Sequence, residues 1–570
     1  MQNETLEKQG EIAPLISTGN SINYNTQEQH LEPRILDEEN LLTIKGVAST
    51  TIRPLTVWLA AKEVLSHSLI FAFSRLPVSI NNITNVIVLR QFGKDAIVAG
   101  PLIATMQYLV VGTMRGALLS SGIVIGELNG AGEKEKISDE ISRGWVFGTF
   151  LSIPAIGILL FSGKLMRLIG VAEGVSACVE IYFFPFIFGI PPTYWLATDQ
   201  QFALGIKKSR VTLVTGISYA SLSILLGCLF ALGPGFIPKL KVAGLGLGPT
   251  ISAWLTLIGL RIYYAANSEY RNYGIFQIKF ANIFKNFSRL LLLSIPMGLQ
   301  VLSEWGNLFA LATISGVISV NILDAAEPSL QIMVSYNLFL LGLAQASAVL
   351  GANYVGKIRK SVTECDENAA TIHHRNLRMI SNIELALAVS ITSILSALFF
   401  SIPQQLTALL NKDVSEDILI LSQSFFIING IGILLDTIRN MTAGSLGSLK
   451  DVYFSPLVSF LTMSVIGLSC GGGWTVLLDW GAGWLFITRD IGIILAAIAI
   501  ILRWIKNGSL EVIRDNINKQ QEEKNIANKY LAGRDAVFSN GCKRKAMNLN
   551  DGKQINSITI EQRKIHFGNN

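Results

Sequence analysis

The stretch Ile493-Ile-Leu-Ala-Ala-Ile-Ala-Ile-Ile-Leu502 contains no polar side chain. A barrel strand crossing a membrane would alternate polarity along about ten residues, and a helix on a soluble protein would keep one polar face. This run does neither. Followed outward it spans 480–505, and a helix rising about 1.5 Å per residue needs about 20 residues to cross a hydrocarbon core. Eleven similar runs precede it, at 65–90, 97–125, 144–162, 175–198, 211–232, 242–265, 290–318, 329–355, 379–402, 416–440 and 452–471. The pattern predicts an all-α polytopic membrane protein with about 12 transmembrane helices.

Composition agrees. Of 570 residues, 50% are hydrophobic and 15% charged, at a mean hydropathy of +0.46, where a soluble domain carries roughly 25% charge. Residues 1–54 and 506–570 read as soluble polar tails, 55–265 and 290–505 as two six-helix lobes, and 266–289 as a cytoplasmic linker. The first 50 residues hold no apolar core segment, so the first spanning helix is expected to direct insertion. Cys178, Cys228, Cys365, Cys470 and Cys542 show no disulfide or zinc spacing and read as packing residues or free thiols.

Lys and Arg in the gaps after helices 2, 4, 6, 8 and 10 outnumber those in the other gaps by sixteen to six. The positive-inside rule then places both termini in the cytoplasm, the membrane being a bacterial inner membrane or a plasma membrane. The net charge of +6 fits this bias and requires no nucleic-acid partner. The two halves also echo each other. Leu204-Gly-Ile-Lys-Lys208 aligns with Leu446-Gly-Ser-Leu-Lys450 at an offset of 242, which brings Cys228 onto Cys470, and Leu76-Pro77 echoes Ile295-Pro296. Six helices per half make this a parallel repeat, a transporter architecture.

An ionisable side chain inside a bilayer is costly unless paired or hydrated, so each is a functional candidate. Glu304 lies 15 residues beyond Arg289 and Asp436 lies 14 before Lys450, which puts both roughly 20 Å from the cytoplasmic boundary. At one depth in one half they could share a proton or a cation such as Na+, because close like charges favour neutralising one of them. The other reading is a structural pair hydrogen-bonded to neighbours such as Gln300 or Asn440. Asn81-Asn-Ile-Thr-Asn85 is too polar to face lipid, so it lines a cavity or a helix contact. Asp199, followed by Gln200 and Gln201, ends helix 4 and reads as interfacial, with Asp199 kept as a further binding candidate. Interior Lys and Arg are few beyond Arg75 and Arg90.

Other motifs are weaker. Gly244-Leu-Gly-Leu-Gly248 opens an apolar helix with no strand before it, so helix packing explains it better than a nucleotide loop. His373-His374 stands in a charged gap and reads as solvated. The chain has no GxxxxGK[ST] run, so ATP hydrolysis and an ATPase partner are not implied and transport would run on a gradient. No helix carries a side-chain pair suited to catalysis, and neither an enzyme nor an organic cofactor is expected.

Several stretches together resemble one family, the multidrug and toxic compound extrusion (MATE) transporters of the NorM type. Asp436-Thr-Ile-Arg-Asn-Met-Thr-Ala-Gly-Ser-Leu-Gly-Ser-Leu-Lys-Asp451 is similar to the family's helix 10 segment. Gly298-Leu-Gln-Val-Leu-Ser-Glu304 is similar to its helix 7 segment, and Leu128-Asn-Gly-Ala-Gly132 resembles its signature after helix 2. The resemblance covers roughly residues 55–505. It implies a cavity between two lobes, export of organic cations in exchange for Na+ or H+, and cation coupling at Glu304 and Asp436. One position departs: Asn85 stands where the family has an Asp in helix 1. An Asn neither exchanges a proton nor adds charge toward Na+, so coupling would rest on the C-terminal half. Two alternatives stay open: a flippase for a lipid-linked substrate, which would want a cationic cavity, and a transport-inactive receptor or scaffold.

Overall fold

The first helix runs from Val57 through Phe73, breaks at Ser74-Arg75 and resumes as Leu76–Leu89. Pro77 accounts for the break, because it has no N–H to bond back to Phe73 and its ring crowds the carbonyl there. Ser74 Oγ caps the Phe71 carbonyl instead, at 2.5 Å. This bent helix, α1, is the crossing predicted at 65–90. The computed structural model describes residues 54–234, 238–276, 287–410, 415–478, 481–523 and 525–526. Almost all of the predicted N-terminal tail, and the C-terminal stretch holding Cys542 to Lys545, lie outside the described residues.

After α1, eleven helices among the described residues are long and apolar enough to cross a membrane: α2 Lys94–Gly130, α3 Lys134–Leu160, α4 Glu173–Gly205, α5 Ser209–Leu232, α6 Val242–Ala266, α7 Phe287–Ile318, α8 Asn321–Thr363, α9 Glu367–Ser401, α10 Glu416–Ser448, α11 Phe454–Thr475 and α12 Gly483–Asn507. With α1 they give twelve crossings in the predicted order, and the described residues include no strand. Residues such as Ile153, Leu225 and Ile394 point outward from the bundle, as hydrocarbon requires.

The boundaries differ from the prediction mainly on one face, the one where α1 begins and α12 ends, which we call the basic face. There α8 runs on to Thr363, α9 starts at Glu367 and α3 at Lys134. Charged stretches predicted as loops are solvated helix ends, because hydropathy falls before helical hydrogen bonding does. Asp366 caps α9 by accepting from the Ala369 N–H at 2.9 Å. Within the predicted C-terminal tail a helix, 510–523, docks on this face. Its Ile513 and Ile517 pack with Tyr354 and Ile358 of α8, and Gln521 donates to Thr363 Oγ1 at 3.0 Å.

The repeat is visible in the helix ends. α2 and α8 end in left-handed residues, Gly132 and Cys365, and α4 and α10 do so at Lys207 and Lys450. These caps match Lys207 with Lys450, one residue away from the sequence alignment, which had paired Lys208 with Lys450.

Packing places a cleft between the halves. On the basic face, the second half of α2 packs along α7 and α8, and the first half of α1 packs on α8 and α9. Toward the opposite face Leu76–Leu89 turns chiefly to α5, and the first half of α2 turns to α4. The halves therefore meet on the basic face and part on the other.

Candidate functional site

Where the halves part lies a cavity of about 880 Å³. Val98, Val171, Leu323 and Glu327, at the helix ends away from the basic face, line its mouth, and Asn82, Asn85, Gln107, Tyr108 and Trp305 lie deeper. A pocket of about 180 Å³ continues from those deeper residues to Arg75, Asn81, Arg115 and Gln345. Tyr108 of α2 and Trp305 of α7 stack across the halves, with ring centroids 4.2 Å apart and planes 12° from parallel. Asn82 donates to the Tyr108 hydroxyl, and Ser223 Oγ donates to Asn81 Oδ1 at 3.2 Å. The Asn81 to Asn85 cluster thus supplies both cavity lining and a helix contact.

Glu304 and Asp436 do come together, but with a third member. Arg439 stands one turn beyond Asp436 and donates from Nε to its Oδ1 at 2.8 Å. Its Nη2 reaches Glu304 Oε1 at 3.4 Å and its Nη1 reaches Ser459 Oγ at 2.9 Å. Asn440 donates to Asp436 Oδ2 at 3.3 Å and Gln300 to Glu304 Oε1 at 3.4 Å. All three charged groups are buried, with Arg439 only 1% exposed, and Glu304 Oε2 has no hydrogen-bond partner among the described residues. Close by, Arg489 of α12 pairs with Asp490 at 3.1 Å and donates from Nε to Asn307 of α7 at 3.1 Å. Neither carboxylate of Glu304 and Asp436 lines the central cavity or its base. They face into the C-terminal half, so the helices do not build a single acidic cavity that holds both substrate and cation.

The basic face is sealed by polar contacts between the halves. Glu127 of α2 pairs with Arg359 of α8 and with Lys450 beyond α10, and Arg359 also reaches Glu133 at 3.1 Å. The Tyr354 hydroxyl of α8 donates to Glu63 of α1 at 2.7 Å, and Lys207, in the same half as Glu63, pairs with its other oxygen at 2.6 Å. Gln345 donates to Gln201 at 3.0 Å. Small residues let the backbones approach: at Gly122, Gly126 and Gly130, spaced four apart on α2, an added Cβ would strike Gln201, Val349 and the Asn353 carbonyl, the small-xxx-small packing of membrane helices.

Asp199 is corrected from interfacial to buried, at 1% exposure. Arg261 of α6 pairs with it at 2.7 Å and Trp145 Nε1 donates to it at 2.9 Å. It belongs to the interior of the N-terminal half and lines neither cavity. Gln200 and Gln201 are buried as well, and Arg115 Nη2 donates to Gln200 Oε1 at 3.0 Å. Arg90 is exposed, while Arg115, Arg439 and Arg489 are interior cations that the sequence reading had passed over. Gly244, Gly246 and Gly248 sit against Ala231, Tyr182 and Gly227, which is helix packing. His374 Nε2 contacts the Gly508 carbonyl at 2.8 Å rather than solvent alone. Among the described residues no group of His, Cys, Asp and Glu is placed to hold a metal ion.

A twelve-helix bundle with an interlobe cavity can be compared with known proteins. Residues 71–229 match the MatE family model. The probable multidrug resistance protein NorM of a Synechococcus strain is 22% identical over 471 residues, 82% of this chain and 96% of the relative. The outward-facing structure of a multidrug resistance MATE family transporter of the MOP superfamily superposes with a TM-score of 0.70 over 81% of this chain and 99% of that one, at 15% identity. These matches are all to MATE transporters. The chain is an integral multi-pass membrane protein similar to NorM-type MATE transporters. A MOP superfamily transporter from Pyrococcus furiosus, described as having a binding pocket of reversed polarity, matches at a TM-score of 0.68 and 15% identity over 81% of this chain and all of its own.

Proposed function

We propose that this protein is a MATE-type secondary active exporter of organic compounds, working by alternating access and driven by entry of Na+ or H+ at Glu304 and Asp436. The observation that carries the reading is a charge imbalance in the C-terminal half. Among the described residues the carboxylates of Glu304, Asp436 and Asp490 are paired with just two cations, the guanidiniums of Arg439 and Arg489, and all five are buried. One uncompensated negative charge in a low-dielectric interior is costly until a cation neutralises it. A proton on the unpartnered Oε2 of Glu304 does so without moving a side chain. Na+ held by both carboxylates would require Arg439 to leave its place between them, so the geometry favours the proton.

Residues 55–265 and 290–505 are the two bodies that move, with the basic face in the cytoplasm as the Lys and Arg bias supports. The central cavity then opens outward, and the Glu127 and Glu63 pairs close the inner side. The NorM relatives are named for multidrug resistance, which supports small organic compounds as substrates. A cationic substrate, implied by the family resemblance, finds no carboxylate at the base of the cavity. One observation favours the second reading, a lipid-linked substrate flippase: the base carries the positive charge of Arg75 and Arg115.

The test is dye efflux from vesicles under an imposed proton or Na+ gradient, comparing the parent with Glu304→Gln and Asp436→Asn. Gradient-dependent efflux lost in either variant supports coupling at these residues. Normal coupled efflux in both variants removes it.

A further inference from the structure

We infer that the substrate carries a negative charge, held at the base of the central cavity by Arg75 and Arg115. This deepens the transport reading above and rests on it for the identity of the cavity as the substrate site. Among the described residues Arg75 and Arg115 are the only charged ones lining the base, and neither has a carboxylate partner there. Arg115 is held by Gln200 through Nη2, while its Nε is buried with no hydrogen-bond partner. Arg75 sits at the break of α1 with its guanidinium over the Phe71 ring, 4.7 Å from the centroid. Every other interior arginine described above has an acid beside it: Arg439 has Asp436 and Glu304, Arg489 has Asp490, Arg261 has Asp199.

Two like charges facing one small, membrane-embedded space repel, and the low dielectric strengthens the repulsion. An entering cation would add to it. An entering oxyanion would relieve it, and guanidinium forks match carboxylate and phosphate oxygens in pairs. Immediately outward, the Tyr108 and Trp305 rings and the apolar cavity wall accept a flat, hydrophobic body. The site therefore fits an amphipathic organic anion, with its charge on the arginines and its rings in the larger chamber. That anion could be free or the charged head of a lipid-linked molecule.

The test uses the full chain purified in detergent. Carboxyfluorescein and ethidium, planar dyes of opposite charge, are titrated against it by fluorescence anisotropy, and the same dyes are followed in vesicle efflux. The expected result is carboxyfluorescein binding that weakens roughly tenfold or more in Arg75→Gln and in Arg115→Gln, partial recovery in the Lys variants, and weaker binding as salt is raised. Melting curves show which variants are folded; if a Gln variant is not, the Lys variant and the salt dependence of the parent decide. Preferential ethidium binding, or carboxyfluorescein binding indifferent to both arginines, would overturn the inference. Displacement of carboxyfluorescein by farnesyl diphosphate but not by inorganic diphosphate supports the lipid-linked source, and displacement by neither supports a free organic anion. Gradient-driven, Glu304-dependent ethidium efflux without anion binding sinks the anion site and keeps the exporter. Arginine-dependent anion binding without gradient-driven flux keeps the anion site and sinks coupled export.

Discussion

Arg439 Nη2 lies 3.4 Å from Glu304 Oε1, tying α10 to α7 inside the C-terminal half. The same guanidinium holds Asp436 at the shorter distance of 2.8 Å, so Arg439 is the one cation shared by two buried acids. Removing it leaves both unpaired, and Arg439→Gln should cost about 3–5 kcal/mol of stability. Glu304→Gln keeps a hydrogen-bonding side chain and leaves a balanced Asp436 and Arg439 pair, so it should melt near the parent while losing coupling. Thermal melting of the purified proteins separates the two cases. An Arg439→Gln variant as stable as the parent would show that the acids do not need it.

Glu127 is the acid on which the seal of the basic face converges, with Arg359 and Lys450 as its partners. Glu127→Gln turns that contact into two cations facing an uncharged amide. A loss of about 3 kcal/mol from the closed form would move the equilibrium roughly a hundredfold toward separation of the halves on that face. Cys365 is exposed at the end of α8. Spin labels on it and on a Glu135→Cys site, with the other cysteines replaced, should therefore report a longer distance in Glu127→Gln. An unchanged distance distribution would mean that the ion pairs are incidental to closure.

Gly130 makes the same face close for a steric reason. Its missing Cβ is the space taken by the Asn353 carbonyl, a backbone atom that cannot turn aside. Gly130→Ala should disfavour the closed basic face and leave the separated state untouched, so the label distance should lengthen as for Glu127→Gln. Gly157, which has nothing within 4 Å of an added Cβ, is the control, and Gly157→Ala should shift nothing.

These residues also show which parts of the molecule were legible in the sequence. Spanning helices were, because hydropathy is a local property, and the break in α1 carried its cause in Pro77. Depth counting brought Glu304 and Asp436 to one level, and the i,i+3 spacing of Arg439 from Asp436 could have supplied the third member. The small-xxx-small spacing of Gly122, Gly126 and Gly130 was likewise readable as a packing face. What that face meets was not. Glu127 and Arg359 are separated by 232 residues, and no local pattern announces such a pair. Arg115 lay inside a predicted span, where the cost of a buried charge should have drawn attention to it.

Lys450 adopts a left-handed backbone, φ 64°, where a Cβ is strained. Both Lys450→Ala and Lys450→Gly lose the Glu127 pair, but only glycine also relieves that strain. The Gly variant should be the more stable by roughly 1 kcal/mol, read from melting temperatures. Equal melting would mean that the turn carries no such strain.

Asn85 lines the larger chamber on the same arm of α1 as Asn81 and Asn82. It is polar but cannot ionise, so in the present chain the arginines alone set the charge of the inner cavity, with Glu327 exposed at the mouth. Asn85→Asp adds the acid that the family pattern has at this position. A carboxylate above two guanidiniums would compete with an entering anion and attract a cation, so carboxyfluorescein binding should weaken while ethidium binding strengthens. The same variant gives α1 a group able to carry a proton, so its efflux should become less sensitive to Glu304→Gln. If Asn85→Asp leaves the preference between the two dyes unchanged, the charge of the chamber wall does not select the substrate, and selection must occur wholly at Arg75 and Arg115.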